Sequence, residues 1–109
     1  MIYTILEIQA IVAPIAQKHK LKAVYLFGSY ARGTAMEHSD VDLLIDTEGT
    51  AIKSLLDLAA VYCELEEALG KPVDLLTLSS FVQATHIPSE IAFRNTVNGE
   101  RIVLYAVTR

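Results

Sequence analysis

With 109 residues, 52% of them hydrophobic and a mean hydropathy of +0.37, the chain is long enough for one domain with a real core and too short for two. Its net charge of −4, with no basic cluster, argues against the electrostatic footprint of a long nucleic acid but leaves room for a single nucleotide whose phosphates are neutralised by metal ions. No apolar run is long enough for a membrane span, and the apolar N-terminus lacks a basic start and is broken by Glu7, so a cytoplasmic protein without a membrane partner is expected.

Thr4-x-x-Glu7 reads as a capping box, and Ile5, Ile8, Val12 and Ile15 recur at helical spacing behind it. Pro14 removes a backbone donor and is expected to kink that helix or restart it. Lys18, His19, Lys20 and Lys22 mark its end, where cations suit the helix dipole. A strand is predicted over about residues 23–27, a short helix near Ser29–Arg32, and a second strand over about residues 41–46, closed by Thr47-Glu48-Gly49-Thr50. The next helix, about residues 51–69, carries Ile52, Leu55, Leu56, Ala59, Tyr62, Cys63 and Leu69 on one stripe, with Gly70 ending it. Cys63 has no disulfide partner and reads as a small buried residue. Lys71-Pro72 leads into a third strand over residues 73–78, and residues 79–86 are ambiguous. Pro88 opens a helix over about residues 88–96, Asn98-Gly99 signals a turn, and residues 102–106 make a last strand. No repeat or linker interrupts the chain. The alternation points to an α/β (α+β) sheet fold over a single domain at residues 1–109. So apolar a small chain is also expected to cover a partner or a second copy with part of its surface.

The chemistry concentrates around Leu26-Phe27-Gly28-Ser29-Tyr30-Ala31-Arg32-Gly33 and Ser39-Asp40-Val41-Asp42-Leu43. Asp40 and Asp42 lie two apart at a strand, so their side chains share a face. Paired carboxylates there suit Mg²⁺, a hard cation held by one or two carboxylates together with substrate phosphates. Gly28-Ser29 complements them, because glycine lets the backbone approach a phosphate and a following helix offers free N–H groups. The bland reading makes Ser39-Asp40 a solvated turn and Asp42 an edge charge, but Asp is depleted in strands and two of them flank Val41. Asp74, near the start of the third strand, joins the pair if the two strands are neighbours; otherwise it pairs with Lys71 or a buried Arg. Clustered carboxylates repel unless cations sit between them. Arg32 either reaches phosphate or pins its own loop by pairing with a carboxylate or carbonyl. Tyr30 packs beside the loop or touches a base or an acceptor. His19, His38 and His86 have no zinc-like spacing and are read as surface or core residues. The segment from Arg94 to Arg101 is read as a solvated face.

The run Gly28-Ser29-Tyr30-Ala31-Arg32-Gly33 through Ser39-Asp40-Val41-Asp42 resembles the signature of the DNA polymerase β-like nucleotidyltransferase superfamily, and more narrowly its minimal nucleotidyltransferases, the MNT proteins of HEPN/MNT toxin–antitoxin pairs. The resemblance implies the polymerase β-like nucleotidyltransferase fold, a small mixed β-sheet flanked by helices. It implies two Mg²⁺ ions at Asp40, Asp42 and Asp74, these three being the catalytic and metal-binding set. It implies ATP bound by Gly28 and Ser29, with Arg32 and Ser39 completing the candidate nucleotide site. The reaction implied is in-line attack of an acceptor hydroxyl on the α-phosphorus, with pyrophosphate leaving. Larger members of the superfamily carry an acceptor-binding domain, so here the acceptor site is expected from another chain or a homodimer partner. The leading expectation is transfer of AMP to a tyrosine hydroxyl of a helical HEPN-type toxin, making the chain an antitoxin. The alternatives are an antitoxin that acts by occlusion alone, and a homodimeric nucleotidyltransferase acting on a small molecule.

Overall fold

Four strands of five or six residues, rich in Val, Leu, Ile and Tyr, form one mixed sheet in the computed structural model, which describes residues 2–50, 52, 54–78 and 88–107. The order along the chain is α1 (Ile5–Lys18), β1 (Ala23–Phe27), α2 (Gly28–Arg32), β2 (Val41–Asp46), α3 (Leu55–Leu69), β3 (Val73–Thr77), α4 (Pro88–Glu100) and β4 (Ile102–Ala106). In the sheet the strands lie β3-β2-β1-β4; β1 is antiparallel to β2 and β4, and β2 runs parallel to β3. The parallel pair follows from its connection, since α3 carries the chain back to the end from which β2 began. The fold class expected from the sequence is the one observed.

Alternation along the strands divides the sheet into two faces. Val24, Leu26, Val41, Leu43, Ile45 and Val73 point into the larger core, where they meet Ile8, Val12 and Ile15 of α1 and Val61, Leu65 and Leu69 of α3. Phe27 and Leu44 point the other way and pack with Val97 of α4. Asp42 pairs in register with Phe27 on one side and Asp74 on the other. Burying Val41 and Leu43 against α1 and α3 therefore sends Asp42 to the face that α4 shares.

The helices depart from their predicted forms in three places. The capping box of α1 is present, with the Glu7 N–H donating to Thr4 Oγ1 at 3.1 Å and the Thr4 N–H to Glu7 Oε1 at 2.8 Å. Yet α1 runs through Pro14 as one element rather than restarting there, because Ile8, Val12, Ile15 and Ala16 on its buried face outweigh one lost hydrogen bond. The second departure is α3, which begins at Leu55 behind its own capping box, Ser54 with Asp57, rather than at 51. Its buried stripe is Val61, Leu65 and Leu69, while Leu55 and Leu56 are 82% and 83% exposed and Cys63 is exposed too. This helix is apolar almost all the way round, so periodicity alone did not choose the face; contact with α1 and the sheet did. Third, α4 continues past Asn98-Gly99 to Glu100 instead of ending at 96. Val97 is buried in that last turn and accepts a bond from the Arg101 N–H, which holds the helix through the expected turn. The ambiguous stretch 79–86 lies outside the described residues, and among those described no helix is long and apolar enough to cross a membrane.

Candidate active site

The site is built at the end of β1. Phe27 finishes the strand in an extended conformation, and Gly28 then turns into α2 with φ +74°, a region that L side chains rarely adopt. A Cβ on Gly28 would lie 1.9 Å from Asp42 Oδ2. The Asp42 carboxylate thus rests directly against the glycine, and any larger residue would drive the two apart.

Asp42 is half-buried and its carboxyl is pushed up to about 6. Burial is the main cause, followed by the charges of Asp74 and Asp40; Arg32 opposes them, and Glu100 adds a further negative charge. Asp74 stands beside Asp42 on the neighbouring parallel strand, exposed, and Asp40 is exposed immediately before β2. The structure thus brings the three predicted carboxylates into one electrostatic neighbourhood. Among the described residues, no three acidic, histidine or cysteine side chains form a ready-made metal cage. That arrangement still fits Mg²⁺, which takes hard oxygen donors, retains waters and completes its shell with substrate phosphates rather than demanding an all-protein cage.

The remaining predicted residues are placed as follows. Ser29 occupies the first turn of α2, partly exposed, with its carbonyl accepting the Thr34 N–H at 2.9 Å. Ser39 stabilises its own loop: its Oγ accepts the Met36 N–H at 2.8 Å, and Lys71 Nζ donates to the carbonyls of Glu37 and Ser39 at 2.8 and 3.3 Å. Lys71 is therefore engaged with this loop, and its ammonium also lies 5.4 Å from the centroid of the Tyr30 ring. Tyr30 is buried beneath the loop, which favours its packing role. Arg32 Nη1 donates to both Glu100 carboxylate oxygens at 3.1 Å, so the carboxylate partner considered for it exists. His19 pairs with Glu64 at 2.9 Å, His38 is exposed, and His86 lies outside the described residues.

The segment read as a solvated face, Arg94 to Arg101, is more than that. It buries Val97, stacks Arg101 over Tyr25 at 4.5 Å, and delivers Glu100 to the site. Glu100 is the residue that sequence reasoning missed. Its contacts with Gly28 and Arg32 span about seventy positions, and no local pattern announces such a contact.

A narrow glycine turn, a set of adjoining carboxylates and an arginine on the same side of a sheet suit the handling of a polyphosphate. Residues 8–97 match the nucleotidyltransferase domain family. A Methanocaldococcus jannaschii protein, MJ0435, named as a protein adenylyltransferase, is 51% identical over 75 residues, covering 68% of this chain and 77% of its own. The protein adenylyltransferase MntA of Thermococcus cleftensis is 40% identical over 81 residues, covering 71% and 80%. A chain from the crystal structure of a toxin–antitoxin with AMP-PNP superposes with a TM-score of 0.69 at 24% identity, covering 92% of this chain and 74% of that one, a likeness of fold. The match across most of its length, on the fold and the carboxylate-bearing strands described above, makes this chain a member of the nucleotidyltransferase domain family.

Proposed function

We propose that the chain is a Mg²⁺-dependent protein adenylyltransferase, a minimal nucleotidyltransferase domain that moves AMP from ATP to a tyrosine hydroxyl of a helical HEPN-type toxin and thereby acts as a cytoplasmic antitoxin. The observation that carries the reading is Asp42 seated against Gly28 with Asp74 beside it in register. A phosphate approaching the glycine turn meets the carboxylates at once. The protein adenylyltransferase names of two relatives support a protein acceptor, and the fold shared with a toxin–antitoxin chain agrees with the antitoxin role.

In this reading Gly28, Ser29 and Arg32 orient the triphosphate, and Ser39 holds the loop that presents Asp40. Asp40, Asp42 and Asp74 would hold Mg²⁺, which supplies neutralisation of the attacking and leaving oxygens. The acceptor oxygen forms a bond to the α-phosphorus as the bond to the β-phosphate oxygen breaks; pyrophosphate leaves and the hydroxyl proton passes to solvent or a carboxylate. Exposed Leu55 and Leu56, at the start of the helix that leads into β3, agree with a protein partner.

The test uses the chain co-expressed with the protein encoded beside it. Intact masses are recorded after incubation with Mg²⁺ and ATP, for wild type and for Asp40→Asn/Asp42→Asn. AMP-sized gains on the neighbour, absent from the variant, are expected. A complex that forms without any mass gain would instead make the chain an antitoxin by occlusion, and turnover on a free small molecule would move the acceptor out of the protein class.

A further inference from the structure

Glu100 ends α4, yet its side chain is spent on the start of α2. Oε1 accepts the Gly28 N–H at 3.0 Å and Arg32 Nη1 at 3.1 Å, and Oε2 accepts the same Nη1 at 3.1 Å. The Glu100 side chain is 16% exposed and that of Arg32 50%. The carboxylate is thus inside, and the guanidinium reaches from it toward solvent. Among the described residues one guanidinium nitrogen is seen in use, of a group with five N–H donors. The backbone donor is one of the orphan N–H groups at a helix start, satisfied here by an anion from the far end of the chain. What makes Glu100 rigid is the turn before it, where Val97 is buried against Phe27 and Leu44.

Gly28 is therefore held on two sides. Its N–H is bound by Glu100 while its α-carbon lies against the Asp42 carboxylate. A shift of a few tenths of an ångström in Glu100 moves the glycine turn, and with it the spacing between that turn and Asp42. Three carboxylates already crowd this face, and a further one is stable there only because two donors aim at it.

We infer that Glu100 is a positioning residue for nucleotide binding: its carboxylate ties the Gly28 backbone and the Arg32 guanidinium to α4 and so fixes the phosphate-facing edge of the site. The inference rests on the nucleotide reading of that site. Nothing in it requires Glu100 to touch the nucleotide; it acts through Gly28 and Arg32.

Two measurements on the full chain decide it, for wild type, Glu100→Gln, Glu100→Ala, Arg32→Ala and the Arg32→Ala/Glu100→Ala double variant. The first is amide hydrogen exchange without nucleotide. Exchange at residues 28–33 is expected to quicken in both Glu100 variants while the β2 amides remain as protected as in wild type. The second is the dissociation constant for ATP with Mg²⁺ by calorimetry. Glu100→Ala is expected to weaken binding about tenfold, the size of a lost charge-assisted hydrogen bond. Glu100→Gln should weaken it less, and the double variant no more than the weaker single one. Unchanged exchange at residues 28–33 overturns the inference, as does an unchanged ATP affinity. Tighter ATP binding in Glu100→Gln also overturns it, because Glu100 would then be competing with phosphate. If wild type binds no ATP, the nucleotide reading of the site fails, and the inference, which rests on it, falls too; the exchange data then still show separately whether Glu100 holds Gly28 in place.

Discussion

Gly28 and Asp42 lie against each other, and each is constrained by the other. A methyl group at position 28 would overlap Asp42 Oδ2 and would also sit at a φ of +74°. Gly28→Ala is therefore expected to cost about 2 kcal/mol or more in stability, measured by urea unfolding, and to lower ATP affinity in parallel. Asp42 gives a pH signature. Its carboxyl is raised to about 6, whereas an unperturbed Asp ionises near 3.8, so between those values the native state holds more protons than the unfolded chain. Metal-free stability should then fall as pH rises from about 4 to about 6 and stay low above it. Asp42→Asn removes that loss. At pH 7 in EDTA it should be the more stable protein by roughly 1 kcal/mol, solvent screening at this half-open position allowed for, with little difference at pH 4. Urea midpoints at the two pH values check this, and a flat profile for wild type would contradict it. The carboxylates and the glycine were legible from residue type and spacing. Glu100 was not, because its meaning comes from contacts some seventy positions away.

At the scale of elements, α3 separates propensity from packing. Its sequence offers apolar residues on nearly every side, and only the docking of α1 and the sheet selects Val61, Leu65 and Leu69 as the buried row. Leu65→Ala is accordingly expected to cost about 2–5 kcal/mol. Leu55→Ala and Leu56→Ala should each stay within about 0.5 kcal/mol of wild type, since both side chains already face solvent. Thermal unfolding of the three variants tests the assignment, and a large loss for Leu55→Ala would return that residue to the core. The strands were easier to read, because their apolar runs are short and bounded by Gly, Pro and Asp. The end of α4 was not, since Asn98-Gly99 is a turn signal by local chemistry and a helix by the burial of Val97.

Across the whole molecule, ligand and stability are linked. A ligand that binds only the folded chain stabilises it, so ATP with Mg²⁺ at about ten times its dissociation constant should add about 1.4 kcal/mol to wild type. Asp40→Asn/Asp42→Asn should gain almost nothing, and EDTA should erase the wild-type gain. Equal stabilisation of both proteins would place the nucleotide elsewhere. The sequence by itself determined the alternation of helices and strands and the two strands that carry Asp42 and Asp74, because strand periodicity and the Gly28-Ser29 turn are local properties of the chain. Which face of α3 is buried, how far α4 runs, and the Glu100 clamp on Gly28 were decided only when the elements packed. Those outcomes depend on contacts between residues far apart in the chain, and no window of local sequence contains both partners.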